Sequence, residues 1–247
     1  MHFSQTTTRR TKVLFASAAA AVVLTGCGTV SAIETPTRPS TPPVVPTADV
    51  VASPHPDVAQ ILATLETLPV KGRAPKTGYT RDEFGQAWSD DVTVAGGHNG
   101  CDTRNDILGR DLIDRTYKDG TKNCVILTGT LNDPYTGKTI AFTRGKDTSS
   151  AVQIDHVVAL SDAWQKGAQQ LDDITRRNLA NDPRNLLAAD GPANQQKSDG
   201  DAATWLPANK SFRCVYVAKQ VEVKAAYQLW VTQAEKDAIA RVLSACE

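Results

Sequence analysis

Apolar positions recur at helical spacing in "PDVAQILATLETL", where Val58, Ile61, Leu62, Leu65 and Leu68 share one side of a 3.6-residue period. "TRNDILGRDL" (Thr103 to Leu112) predicts a second short helix with Asp102 as its cap. The pattern then changes to β-rich runs. "NCVILTGTL" and "TIAF", joined through "NDPYTGK", predict a hairpin with a longer loop. A further β-branched run, "VQIDH", predicts a strand that ends on a polar pair. "SDAWQKGAQQ" and "DDITRRNLA" predict helices, with Asp162 placed to cap the first, before a second strand, "NLLAAD". Gly191-Pro192 breaks the chain and opens a helix, "PANQQKSD", since proline suits a first helical turn. The tail predicts two helices, "SFRCVYVAKQVEVKAAYQLW" and "TQAEKDAIARVLSAC". Thr232 and Glu235 form a capping box at the start of the last one.

The N-terminus follows a different rule. Arg9, Arg10 and Lys12 precede a short apolar run, and "LTGC" (Leu24 to Cys27) reads as a lipoprotein processing box. Residues 1–26 are thus expected to be a signal peptide, with lipid on Cys27 anchoring the chain outside the cytoplasm. Thr29 to Pro56 holds seven prolines and few charges, so residues 27–56 are expected to be an extended tether. The remaining 57–247, about 190 residues, are enough for one domain with its own core.

Cysteine count and charge refine this address. Besides Cys27, the chain has Cys101, Cys124, Cys214 and Cys246, an even number that suggests two disulfides in an exported protein. Three pairings are possible; Cys101–Cys124 and Cys214–Cys246 keep both loops short and are the expected set. A four-cysteine zinc site would want closer pairs than these. The full chain balances 27 Lys/Arg against 27 Asp/Glu, and removing the leader with its three cations leaves three acids in excess. Bulk electrostatic capture of nucleic acid is therefore excluded, though a local cationic groove is not.

The candidate chemistry lies in "VQIDHVVALSDAW". Asp155 and His156 end one strand, Asn185 starts the next, and Asn194 sits on the helix that follows. A carboxylate, an amide and a neutral imidazole at three such junctions are what a one-metal phosphodiesterase needs. His98, in a glycine-rich turn, reads as surface, and the four tryptophans read as packing. On "QIDHVVALSDAW", "NDPRNLLAADGPANQQKSD" and, more loosely, "GHNGCDTRNDIL" and "GTLNDPYTGKTI", the sequence resembles the HNH (ββα-metal) nuclease superfamily. More closely it resembles exported HNH-endonuclease-like proteins related to the C-terminal domain of GmrSD restriction enzymes. The resemblance spans about Gly78 to Cys246.

The resemblance implies an α+β fold with a ββα-metal (His-Me finger) core, extra helices and a hairpin. It implies a metal-dependent endonuclease acting on DNA, and on RNA as a further substrate, with little sequence specificity. His156 then matches the general base, Asp155 a metal ligand, Asn185 the brace of the His-bearing loop and Asn194 the helix-borne ligand. The third position is Asn194 rather than histidine, and an all-oxygen set suits Mg²⁺ or Mn²⁺ better than Zn²⁺. Arg104 is the favoured cation for transition-state charge, with Lys197, Arg144 and Lys210 as substrate-binding candidates. A monomer is expected, touching the membrane only through its lipid. The competing expectation is a non-catalytic surface lipoprotein that uses the same fold to hold a cell-envelope or protein partner.

Overall fold

A computed structural model describes residues 56–246. The leader, Cys27 and almost all of the tether lie outside these residues. In chain order the elements are α1 (Val58–Thr67), α2 (Thr103–Asp111), β1 (Leu112–Tyr117), β2 (Ile126–Asn132), β3 (Thr139–Thr143), β4 (Val152–His156), α3 (Leu160–Gln165), α4 (Asp173–Asn181), β5 (Leu186–Asp190), α5 (Gly191–Lys197), α6 (Arg213–Ala226) and α7 (Gln233–Leu243). The fold is α+β, and it carries both expected disulfides, Cys101–Cys124 and Cys214–Cys246. No helix among the described residues is long and apolar enough to cross a membrane.

Two antiparallel sheets organise the chain, one of order β1-β2-β3 and one made of β4 and β5. In the second, Ile154 pairs with Ala188 and His156 with Leu186. The two-residue period of a strand sends alternate β5 side chains to opposite faces. Leu186 and Ala188 join a core with Ile107, Leu108, Phe142, Val152 and Ile154. Leu187 and Ala189 join another, built on α1, α6 and α7 with Ile61, Leu65, Val217, Val221 and Ile239. Burial on both faces explains why "LLAA" is a continuous apolar run rather than an alternating one. A third core, with Phe84, Trp164, Leu179 and Leu229, lies around α3 and α4.

Local chemistry sets most of the boundaries. Asp57, Asp102 and Asp172 each cap a helix by accepting a backbone N–H with the side chain, and Thr232 and Glu235 complete the capping box of α7. Pro192 sits in the first turn of α5.

Three expectations need correction. The helix predicted through Leu112 stops at Asp111, and "LIDRTY" continues as β1. Its only buried residue is Leu112, and Asp114 has φ 51° at an irregularity in the pairing, so hydrophobic alternation could not signal it. Helix α6 ends at Ala226 rather than running to Trp230. Gln228 turns the chain at φ 53°, and Val231 bridges to Val70. Asp162 caps nothing, because its carboxylate is buried among Arg73, Lys166 and Lys224.

Candidate active site

A cleft of about 520 Å³ opens where β4 ends, lined on its floor by Gln153, Asp155, His156 and Asn194. Strand β4 presents neighbouring residues to opposite faces. Gln153 and Asp155 face α5: Asn194 Nδ2 donates to Gln153 Oε1 at 2.9 Å, and Lys197 Nζ donates to Asp155 Oδ1 at 3.0 Å. His156 turns the other way, its ring stacked on Trp88 with centroids 5.8 Å apart and planes 13° apart.

The last turn of α4 fixes that ring. Carbonyls at a helix C-terminus have no intrahelical donor. Here Ala180 O accepts from His156 Nε2 at 2.9 Å, and Leu179 O accepts from Asn185 Nδ2 at 3.2 Å. Since a carbonyl can only accept, Nε2 carries the proton and Nδ1 is left as the lone-pair nitrogen. Asn185 is fully buried, and its Oδ1 accepts from Val158 N at 2.8 Å while Nδ2 also reaches Val158 O. One amide thus ties the loop after His156 to the helix that holds the imidazole. Burial pushes the His156 pKa down to about 3, and the nearby charges of Arg81 and Lys197 push the same way.

Asp155 is engaged differently from its expected role. Its Oδ1 takes Lys197, and its Oδ2 takes the hydroxyl of the fully buried Tyr135. Lys197 Nζ also donates to the His156 carbonyl at 2.8 Å. Burial raises the Asp155 pKa, and Lys197 and Tyr135 partly oppose that. Each carboxylate oxygen thus already accepts a hydrogen bond inside the protein, and the Lys197 ammonium stands 3.0 Å from Oδ1, a like charge to any divalent ion bound there. Asn194 Oδ1 stays available, but among the described residues no group of three or more His, Cys, Asp or Glu could hold a metal ion. As arranged here, these residues do not fit a divalent-ion site with Asp155 as ligand. Adjacency in the sequence is what separates Asp155 from His156, because strand geometry sends successive side chains apart.

The expected cations are not brought to the cleft. Arg104 donates to the Val152 carbonyl at 3.4 Å, at the opposite end of β4. Arg144 is spent on Ile126 O and Asn105 Oδ1. Lys197 is buried against Asp155, and Lys210 is exposed on a 3₁₀ turn away from the lining. The lining instead contains Lys76 and Arg81, from the segment before α2. Lys76 pairs with Asp199 at 3.3 Å. Among the described residues Arg81 has no salt bridge, and its Nη1 and Nη2 are buried without a hydrogen-bond partner. Sequence reasoning missed both, and it reads Trp88 as packing alone; nothing in "KTGYTRDEFGQAW" marks these residues, because the fold brings them to the cleft of His156 from a distant part of the chain.

A strand pair followed by a short helix, with a held imidazole at the strand end, lines this cleft in an α+β domain. Residues 102–242 match the model of the C-terminal domain of GmrSD restriction endonucleases, more than half of the chain, and the protein belongs to that family. It is 35% identical over 219 residues to a protein of Arthroderma benhamiae (strain ATCC MYA-4681 / CBS 112371) described as an uncharacterized secreted protein; the match covers 88% of this chain and 95% of the relative. No solved structure matches the chain.

Proposed function

We propose that this protein is an extracytoplasmic endonuclease that hydrolyses phosphodiester bonds of DNA, and of RNA as a further substrate, with His156 as the general base on a ββα core. The observation that carries this reading is the locked tautomer of His156. Its Nε2–H is held by Ala180 O, so a neutral ring offers Nδ1 at the end of β4, in a cleft of a chain that belongs to a restriction-endonuclease family. Two disulfides and a relative described as secreted support the extracytoplasmic address, with Cys27 as the proposed lipid attachment.

In the mechanism, Nδ1 takes a proton from the attacking water as its oxygen bonds to phosphorus; the P–O bond to the leaving sugar oxygen breaks, and that oxygen takes a proton from solvent. A ring with a pKa near 3 is a weak base in the free protein. A bound phosphodiester adds a negative charge beside it and raises its basicity where proton transfer occurs. Asn185 and the α4 carbonyls keep the ring from rotating, so little orientation is lost on the way to the transition state. Asn194 Oδ1 is a neutral acceptor on the cleft floor, available to orient the water or the scissile group. No step is assigned to a metal, given how Asp155 is engaged.

The test incubates the full chain with plasmid DNA or RNA in Mg²⁺, Mn²⁺ or EDTA. Cleavage is expected, and His156→Ala should lower it about 10²- to 10⁴-fold. No cleavage under any of these conditions, or a fully active His156→Ala chain, would end the reading. A second reading, a non-catalytic binding lipoprotein on a nuclease fold, is favoured by the Asp155–Lys197 pair, which leaves the ligand carboxylate unavailable. Turnover separates the two: this reading requires no cleavage with either metal or with EDTA, and partner binding that His156→Ala leaves unchanged.

A further inference from the structure

Residues outside the family-matched span complete the cleft. The match begins at residue 102, whereas Lys76, Tyr79 and Arg81 line the wall beside His156. The charges of this wall and floor can be counted. Asp155 is neutralised by Lys197, Asp199 by Lys76, and His156 is uncharged. Among the described residues that line the cleft, Arg81 is the one formal charge left over. Tyr79 and Asp82 lie close enough to act on it electrostatically, yet neither accepts a hydrogen bond from it.

A buried guanidinium without acceptors is costly, and burial correspondingly lowers the Arg81 pKa. Folding keeps this cost at one position only in the cleft, next to the imidazole whose charge state Arg81 influences. The planar fork of a guanidinium matches two oxygens of a tetrahedral oxyanion. With no hydrogen-bond partner among the described residues, the guanidinium gives up no such bond in turning its donors toward an anion in the cleft it lines. We infer that Arg81 forms a phosphate subsite, binding the non-bridging oxygens of the scissile phosphodiester next to His156 and offsetting the charge that develops there. The inference rests on the nuclease reading for the identity of the phosphate, but the oxyanion subsite itself does not.

The experiment uses the full chain carrying His156→Ala, so that substrate is not consumed, with and without Arg81→Ala or Arg81→Lys. Two probes are titrated: a short fluorescent oligonucleotide by anisotropy, and inorganic phosphate by ³¹P line width. Arg81→Ala should weaken the oligonucleotide about 10- to 100-fold, with partial recovery in Arg81→Lys. An oligonucleotide with neutral methylphosphonate linkages should lose little from the same substitution, which a merely structural effect would not predict. Unchanged circular dichroism and a melting temperature no lower than the parent's would show that each variant folds. If phosphate binding depends on Arg81 but no nucleic acid binds or is cleaved, the subsite stands and the nuclease reading falls. If Arg81→Ala binds both probes like its parent, if the neutral linkages suffer equally, or if the parent binds neither probe, the subsite is refuted.

Discussion

Among the described residues, a buried cluster of three cations and the arginine of the cleft are treated in opposite ways. Behind α3, Lys166 and Lys224 are fully buried with Arg73 beside them, and they meet Asp162, Asp201 and Glu235. Three cations face three carboxylates, at distances between 2.6 and 3.2 Å. This network joins the segment before α2, helix α3, the chain after α5, and helices α6 and α7. In the cleft, Arg81 has no counterpart among the described residues. The matched group acts as a structural fastener, because a buried charge survives only when paired. The unmatched group is what a site for an anion looks like before the anion arrives.

Breaking the fastener should give the largest effect. Lys166→Met leaves three buried carboxylates with two cations, and unfolding in denaturant should show a loss of about 3–5 kcal/mol. A loss under about 1 kcal/mol would mean that the network is no fastener, and the contrast with the cleft would collapse. Next comes Asn185→Ala, which strands the buried Val158 N–H and frees Leu179 O. It should cost about 2 kcal/mol and cut nuclease turnover beyond what its stability explains, because the His156 loop loses its brace. A turnover equal to wild type would show that Asn185 only supports the fold.

The same type of substitution in the cleft should have the opposite sign. Arg81→Met removes a guanidinium that has no partner, so thermal unfolding should show a gain of about 0.5–2 kcal/mol, together with weaker nucleic-acid binding. A destabilised Arg81→Met chain would reveal a structural role for this arginine and erase the distinction between the two groups.

How much of this was legible in the sequence follows from the range of the forces involved. The α7 capping box, the caps at Asp57 and Asp102, the hairpin and both disulfides are visible because their partners lie close along the chain or leave few pairing choices. Asn185 and Asn194 stood out by their spacing from His156. The side of the strand on which Asp155 would fall was also present, in the two-residue period, but it could not be judged without knowing that α5 covers that face with Lys197. Arg73, Arg81 and Trp88 were illegible. Trp88 meets His156 across 68 residues and Arg73 meets Asp201 across 128, and Arg81 comes to the same cleft as His156, by a crossing that no local pattern encodes. The polar network was hidden for the same reason: Lys166 and Asp162 are one helical turn apart and look like an exposed pair, and only the arrival of α6 and α7 buries them.

The smallest effect concerns the ring that covers the base. Trp88 holds φ 58°, an unusual conformation for a bulky residue, while its indole stacks on His156. A strained residue kept beside a catalytic candidate suggests that the stack contributes to the desolvation that depresses the His156 pKa. Trp88→Gly relieves the backbone and removes the ring, whereas Trp88→Phe keeps a ring. In NMR titrations the His156 pKa should move up from about 3 toward its ordinary 6.5 in Trp88→Gly, and less in Trp88→Phe. Stability follows with a fixed sign. A depressed histidine pKa means that the unfolded chain binds the extra proton first, so this contribution is intact above pH 6.5 and is lost as pH falls toward 3. Raising the folded pKa narrows that window, so Trp88→Gly should lose less stability between pH 6.5 and 3 than wild type, and His156→Gln should lose none of this component. Asp201, held down to about 2 with Lys166 and Arg73 as its partners, titrates lower and should add its own loss below pH 3.8 in every variant. If Trp88→Gly leaves the His156 titration in place, burial by α4 and the loop alone sets the base, and the strain at Trp88 has another cause.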